Sequence, residues 1–85
     1  MRQRLIDVNL WDQNNDNDPV HSITGAWTVL ARLGAPCRFG GRCGDGQFEY
    51  LVVDPQSGTP VASGRGASLP EAMCQAALTA RSAIQ

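Results

Sequence analysis

The sequence predicts an α+β fold of order α-β-β-β-α, a three-stranded antiparallel sheet with two helices packed on it. Three observations predict it. Apolar residues recur at helical spacing over residues 19–34 and again over 68–84. Between them, "QFEYLVVD" has the composition and alternation of a strand and is flanked by glycine- and proline-rich turns. No internal repeat or linker divides the 85 residues, so 1–85 forms a single small domain.

In chain order, residues 1–11 carry Leu5, Ile6, Val8, Leu10 and Trp11, enough apolar surface for an extra N-terminal strand or a docking turn. The next stretch, "DQNNDND" (12–18), has no apolar member and reads as an acidic loop that closes the N-terminal segment 1–18. For the helix over 19–34, Asp18-Pro19 offers a cap and a first position, and Ser22 offers a second cap. Ile23, Ala26, Trp27, Leu30 and Leu33 follow the i, i+3, i+4, i+7 rule of one buried face, which puts Trp27 in the core. Gly34 stands where a helix takes its left-handed terminator, and Pro36 forbids continuation.

Strands occupy 37–66. "CRFGGRCGDGQ" holds glycines at 40, 41, 44 and 46, the mark of a short strand and a turn. In the following strand Phe48, Tyr50 and Val52 point one way, Leu51 and Val53 the other. Large apolar residues on both faces predict cover on both, by helices on one side and by a second copy of the chain on the other. "DPQSG" (54–58) is a turn, and "TPVASGRG" pairs back as the third strand, with Pro60 at its start, where a missing N–H does least harm. The helix over 68–84 opens with a Ser68/Glu71 capping box around Pro70. Its face of Ala72, Met73, Ala76, Ala77, Ala80 and Ile84 is built mostly of small side chains, which lets a helix lie close to a sheet.

Composition bounds the function. With 42% hydrophobic and 18% charged residues the chain is globular. Its net charge of −1 and pI near 5.6 argue against a non-specific nucleic-acid binder, which draws its affinity from a basic excess. All seven basic residues are arginine. No apolar run approaches a membrane span, and Asp7 and Asn9 interrupt any secretion signal in "MRQRLIDVNLW", so the cytoplasm is the expected compartment. Three cysteines do not make a closed disulfide framework. Cys37 and Cys43 flank a glycine turn and could lie close together, with reduced thiols expected.

No site chemistry assembles from the remaining residues. Asp12, Asn14, Asp16 and Asp18 alternate as the first ligands of an EF-hand do, but Asn17 replaces the required glycine and Ile23 the bidentate glutamate. The loop is therefore expected to be solvated, presenting a negative patch. His21, Cys37, Cys43 and Cys74 lack zinc-site spacing, and no Gly-Lys-Ser/Thr follows the glycines to make a phosphate loop. No cofactor, metal or catalytic residue is predicted. Trp11 lies outside the periodic segments, and an exposed Trp11 would be an interface anchor. Arg38, Arg42 and Arg65 fall in the strand region and could form a local basic spot.

Two resemblances follow from the motifs. "DPVHSITGAWTVLARLGAP", "FEYLVVD" and "GRGASLPEAMCQAAL" resemble the first helix, second strand and closing strand and helix of double-stranded-RNA-binding domains. The phosphate-clamping lysines of that family are replaced here by Leu69-Pro70-Glu71-Ala72-Met73. "PVHSITGAWTVLARL" followed by "ASLPEAMCQAALTA" resembles the phage ABA sandwich domain family, through the Ala-Trp pair of the first helix and the closing motif from Pro70 to Leu78. This second resemblance covers most of the chain. It implies a small phage protein, a class that includes inhibitors of host defence and anti-CRISPR proteins. The resulting expectation is a non-enzymatic binding protein that blocks a Cas protein in the infected host. Asp12, Asp16, Asp18, Glu49 and Asp54 would imitate phosphates on a basic partner surface, with Trp11 as anchor. The alternative is a nucleic-acid-binding accessory protein that uses Arg38, Arg42 and Arg65. A third reading is a homodimer joined through Leu51, Val53 and Leu78.

Overall fold

A computed structural model of the chain describes residues 2–15, 18–42 and 44–84; Asp16, Cys43 and the side chain of Ile84 lie outside the described residues. The first element is a helix, α1 (Arg2–Asp7), and not the strand or turn expected from its apolar content. Local geometry explains the difference. Asn9 adopts φ 63°, while the Leu10 N–H donates to Leu5 O at 2.8 Å and the Asn9 N–H to Ile6 O at 3.0 Å. These are the two bonds of a Schellman stop with asparagine in the left-handed position. The chain turns back there and drives Leu5, Leu10 and Trp11 into the core. An Arg2 Nη2 that donates to Asn15 O at 2.8 Å and to Gln13 O at 3.3 Å ties α1 to the acidic loop.

The helix expected over 19–34 comes in two pieces, and both candidate caps are used. Asp18 Oδ1 accepts from the Val20 N–H at 3.0 Å and opens a single 3-10 turn, Pro19–His21. Ser22 Oγ accepts from the Gly25 N–H at 3.2 Å and opens α2 (Ile23–Leu33). At its end Gly34 takes φ 75° and its N–H donates to Leu30 O at 3.2 Å, the stop that the sequence predicts.

The strands β1 (Cys37–Arg42), β2 (Phe48–Val53) and β3 (Pro60–Gly66) form one antiparallel sheet in the order β1-β2-β3. Pairing sets Phe39 opposite Tyr50 and Tyr50 opposite Gly64, and in the next row Cys37 opposite Val52 and Val52 opposite Ala62. These residues face the helices. The other face carries Arg38, Leu51 and Ser63 in one row and the Glu49–Arg65 pair in another.

The last helix, α3 (Leu69–Ile84), lies along β3 and β2. Ser68 Oγ accepts from the Glu71 N–H at 3.4 Å at its start. Its buried Ala72 and Ala76 meet Gly64, and Glu71 and Ala72 meet Gly66, so the close approach predicted from the small residues is present. A Cβ on Gly64 would collide with Ala76 N and come within 2.6 Å of Ala72 O. This strand has no room for any side chain there.

Two tryptophans exchange the places expected of them. Trp27, assigned to the core by its spacing, is 53% exposed, whereas Trp11 is only 4% exposed. The buried face of α2 is Gly25, Ala26, Val29 and Leu30, rotated away from the predicted one. Gly25 is the cause: a Cβ there would lie 2.9 Å from Pro19 Cα and 3.3 Å from Trp11 Cη2. The side of α2 that carries no side chain is thus pressed against the Trp11 ring, and the helix turns Trp27 outward.

Candidate functional site: an aromatic face beside the edge strand

The site begins with Gly40-Gly41. The β1–β2 register shifts between Phe39 and Gly41, so Gly40 is an extra residue in β1. Gly41 takes φ +119°, and a Cβ on Gly40 would lie 3.0 Å from Glu49 Oε1 and 3.2 Å from Leu51 Cγ. Gly41 needs glycine for its left-handed backbone, and a side chain at Gly40 would have to displace the Glu49 and Leu51 side chains. Strict alternation would send Phe39 and Arg42 to opposite faces; the bulge returns both to the helix side.

There Phe39 packs tilted against Phe48 at 6.3 Å and against Tyr50 at 6.5 Å between ring centroids. The Arg42 guanidinium sits 5.9 Å from the centre of the Phe48 ring, a cation–π contact. From α2, Trp27 meets Tyr50 edge-on, with centroids 6.3 Å apart and planes at 89°. Tyr50 is buried and forms the floor, and that burial raises its phenol pKa, with the Cys37 thiol adding to the rise.

Because α2 leans on α3, β1 lacks helical cover on this side. Phe39 is consequently 52% exposed, matching Trp27. Among the described residues, the large apolar side chains left exposed are Ile23, Trp27, Phe39 and Val61. Ile23 is one helical turn before Trp27, so three of these four belong to one face. Half-exposed aromatic side chains with an arginine beside them are the composition of an interface centre.

Of the carboxylates singled out from the sequence, the described ones, Asp12, Asp18, Glu49 and Asp54, are dispersed and locally engaged; Asp16 lies outside the described residues. Asp12 Oδ1 accepts from the Asn14 N–H at 3.0 Å, and Asp54 Oδ1 from the Gln56 N–H at 2.8 Å. Asp18 caps the 3-10 turn and lies 3.6 Å from His21 Nε2. Glu49 Oε2 accepts from Arg65 Nε at 3.3 Å on the open face of the sheet. Glu49 and Asp54 stand at opposite ends of β2, so these groups do not form one patch. Trp11 is corrected from interface anchor to core residue; among the described residues its indole Nε1 has no hydrogen-bond partner. Arg38 and Arg65 lie on the open sheet face and Arg42 on the other, so the three do not make a single basic spot. Leu78, named for a dimer contact, is buried in the core, while Leu51 and Val53 are half-buried on the open side.

The two described thiols, Cys37 and Cys74, are poor nucleophiles. Cys37 Sγ donates to Ala35 O at 3.3 Å, and burial raises its pKa. Cys74 is fully buried; burial first, then the Asp18 charge, pushes its pKa up to about 12. Any bond from Cys37 to Cys43 lies outside the described residues. An apolar recess of about 290 Å³, lined by Val52, Val53, Pro55, Val61 and Ala80, offers one carboxylate, from Asp54. That is at the small end of ligand pockets and brings no converging polar groups.

Sequence reasoning missed Phe39 and Phe48. The signal was a Gly-Gly pair inside a strand, which marks a bulge and a change of facing. No helix among the described residues is long and apolar enough to cross a membrane. No family model matches the chain, and no curated protein or solved structure matches it.

Proposed function

We propose that this chain is a non-enzymatic binding protein that acts by covering a partner's surface with the Trp27–Phe39–Tyr50 face. One observation carries the reading: two aromatic rings on separate elements are held half in water over a buried tyrosine, Phe39 beside a bulge whose Gly41 takes a left-handed backbone. Rings kept at a surface in this way bury the most area per residue when a partner arrives, at little cost in side-chain entropy. Joined to the resemblance to the phage ABA sandwich family, this supports an inhibitor of host defence. The partner is then a Cas protein in the cytoplasm of the infected cell, and the chain works by occupying it rather than by chemistry.

The test is phage plaquing on hosts with active CRISPR interference that express this chain. The parent chain should restore plaquing. Trp27→Ala/Phe39→Ala, expressed to the same level, should lose at least about tenfold of that effect, the scale of a lost hot-spot residue. A double variant that protects phage as well as the parent would remove the aromatic face from the function. A parent that protects phage in no interference-active host would remove the defence reading.

A further inference from the structure

We infer that the aromatic face takes an acidic segment of a partner protein, one that sets an apolar anchor side chain among carboxylates. This rests on the binding reading above and adds the partner's chemistry. The first support is the distribution of charge. From residue 19 to residue 42, the stretch that supplies Ile23, Trp27 and Phe39, the chain carries Arg32, Arg38 and Arg42 and no Asp or Glu. All eight carboxylates lie outside that stretch. A chain of net charge −1 thus presents its exposed rings on its cationic part. Arg42 lies on the ring side of β1 and Arg38 on the opposite side of the same edge strand, so the two flank Phe39. The carboxylates closest along the chain are engaged: Asp18 Oδ1 accepts from the Val20 N–H at 3.0 Å, Asp45 Oδ1 from the Gln47 N–H at 3.1 Å, and Glu49 holds Arg65.

Three other occupants fit less well. A nucleic-acid strand needs outward, roughly parallel ring faces on which successive bases stack. Here Trp27 stands at 89° to Tyr50, Phe39 is tilted by 43° and 52° to its neighbours, and Arg42 already covers the Phe48 face. A second copy presents this same face, so an isologous contact would set one arginine-bearing surface against another. As for an added strand, the bulge and two arginines blunt the β1 edge. Recognition therefore runs through side chains, with the anchor seated on Tyr50 between Trp27 and Phe39 and carboxylates turned to the arginines.

The experiment is selection of random displayed peptides on the immobilised full-length chain, followed by anisotropy titrations of the recovered peptides. A labelled oligo(dT) strand and the unlabelled chain itself serve as comparison probes. Recovered peptides should be net negative with at least one aromatic or large aliphatic residue. Their affinity should fall about tenfold or more in Arg38→Glu/Arg42→Glu, whose exposed positions leave folding intact, and in Trp27→Ala/Phe39→Ala. Basic or neutral peptides, tighter binding of oligo(dT), tighter self-association, or no enrichment over blank would each overturn the inference. If plaquing is lost in the aromatic double variant while the selection shows no acidic preference, the binding reading stands and only the partner chemistry fails.

Discussion

Along β3, Gly64 and Gly66 carry no side chain, and the α3 backbone rests directly on the strand; along β1, Phe39 and its neighbour Trp27 leave about half of their surfaces in water. The same sheet thus has one edge packed to contact and one edge left uncovered by bulky rings. At the β3 edge the fit depends on absence of volume, so any added atom meets backbone. At the β1 edge both rings touch the Tyr50 floor but are not enclosed, so their removal empties little of the core. The contrast separates residues that hold the fold from residues available to a partner.

Substitutions can break or sharpen this contrast. Gly64→Ala should have the largest effect, a loss of about 3 kcal/mol or more, because its Cβ would collide with the α3 backbone. That corresponds to a fall of roughly 12 °C or more in Tm for a domain of this size, read by circular dichroism. A parent-like melt would mean that α3 does not press on β3. Trp27→Ala/Phe39→Ala should cost only about 1–2 kcal/mol in the same melt, well below the 3–5 kcal/mol of a single buried aromatic, while abolishing partner binding. A loss as large as that of Gly64→Ala would erase the difference between the edges.

Alkaline titration probes the packed side. The Cys74 thiol ionises near 9.0 when exposed and only at about 12 when folded, so the folded state holds its proton longer. Stability should stay level below pH 9 and decline as pH rises toward 12, and Cys74→Ala should flatten that decline. Denaturant midpoints across this range check it. Smallest in stability is Arg42→Glu, expected within about 0.5 kcal/mol of the parent because the side chain is exposed. Its effect should appear in binding instead.

Which parts of this were legible in the sequence follows from the range of the forces involved. Ser22, Gly34, Ser68 and the alternation from Phe48 to Val53 act within a few residues, and the helix ends and strands they mark are where they were expected. The rotation of α2 is different in kind. It depends on Gly25 meeting Pro19 and Trp11, so the spacing of Ile23, Trp27 and Leu30, which fits a buried stripe equally well, could not choose between faces. The N-terminal helix was hidden for a related reason: six residues are too few for periodicity, and the informative signal was Asn9 followed by Leu10. Of the candidate site, Arg42 was visible but grouped with Arg38 and Arg65, because the bulge that places it beside Phe39 and Phe48 breaks the alternation rule.

The two tryptophans allow the most direct test of this division, through acrylamide quenching of fluorescence in the single-tryptophan variants Trp11→Phe and Trp27→Phe. With Trp27 as the only emitter the spectrum should be red-shifted and strongly quenched; with Trp11 alone it should be blue-shifted and resistant. The opposite pattern, a shielded Trp27 and an accessible Trp11, would contradict the account, since the aromatic face would then belong to the core.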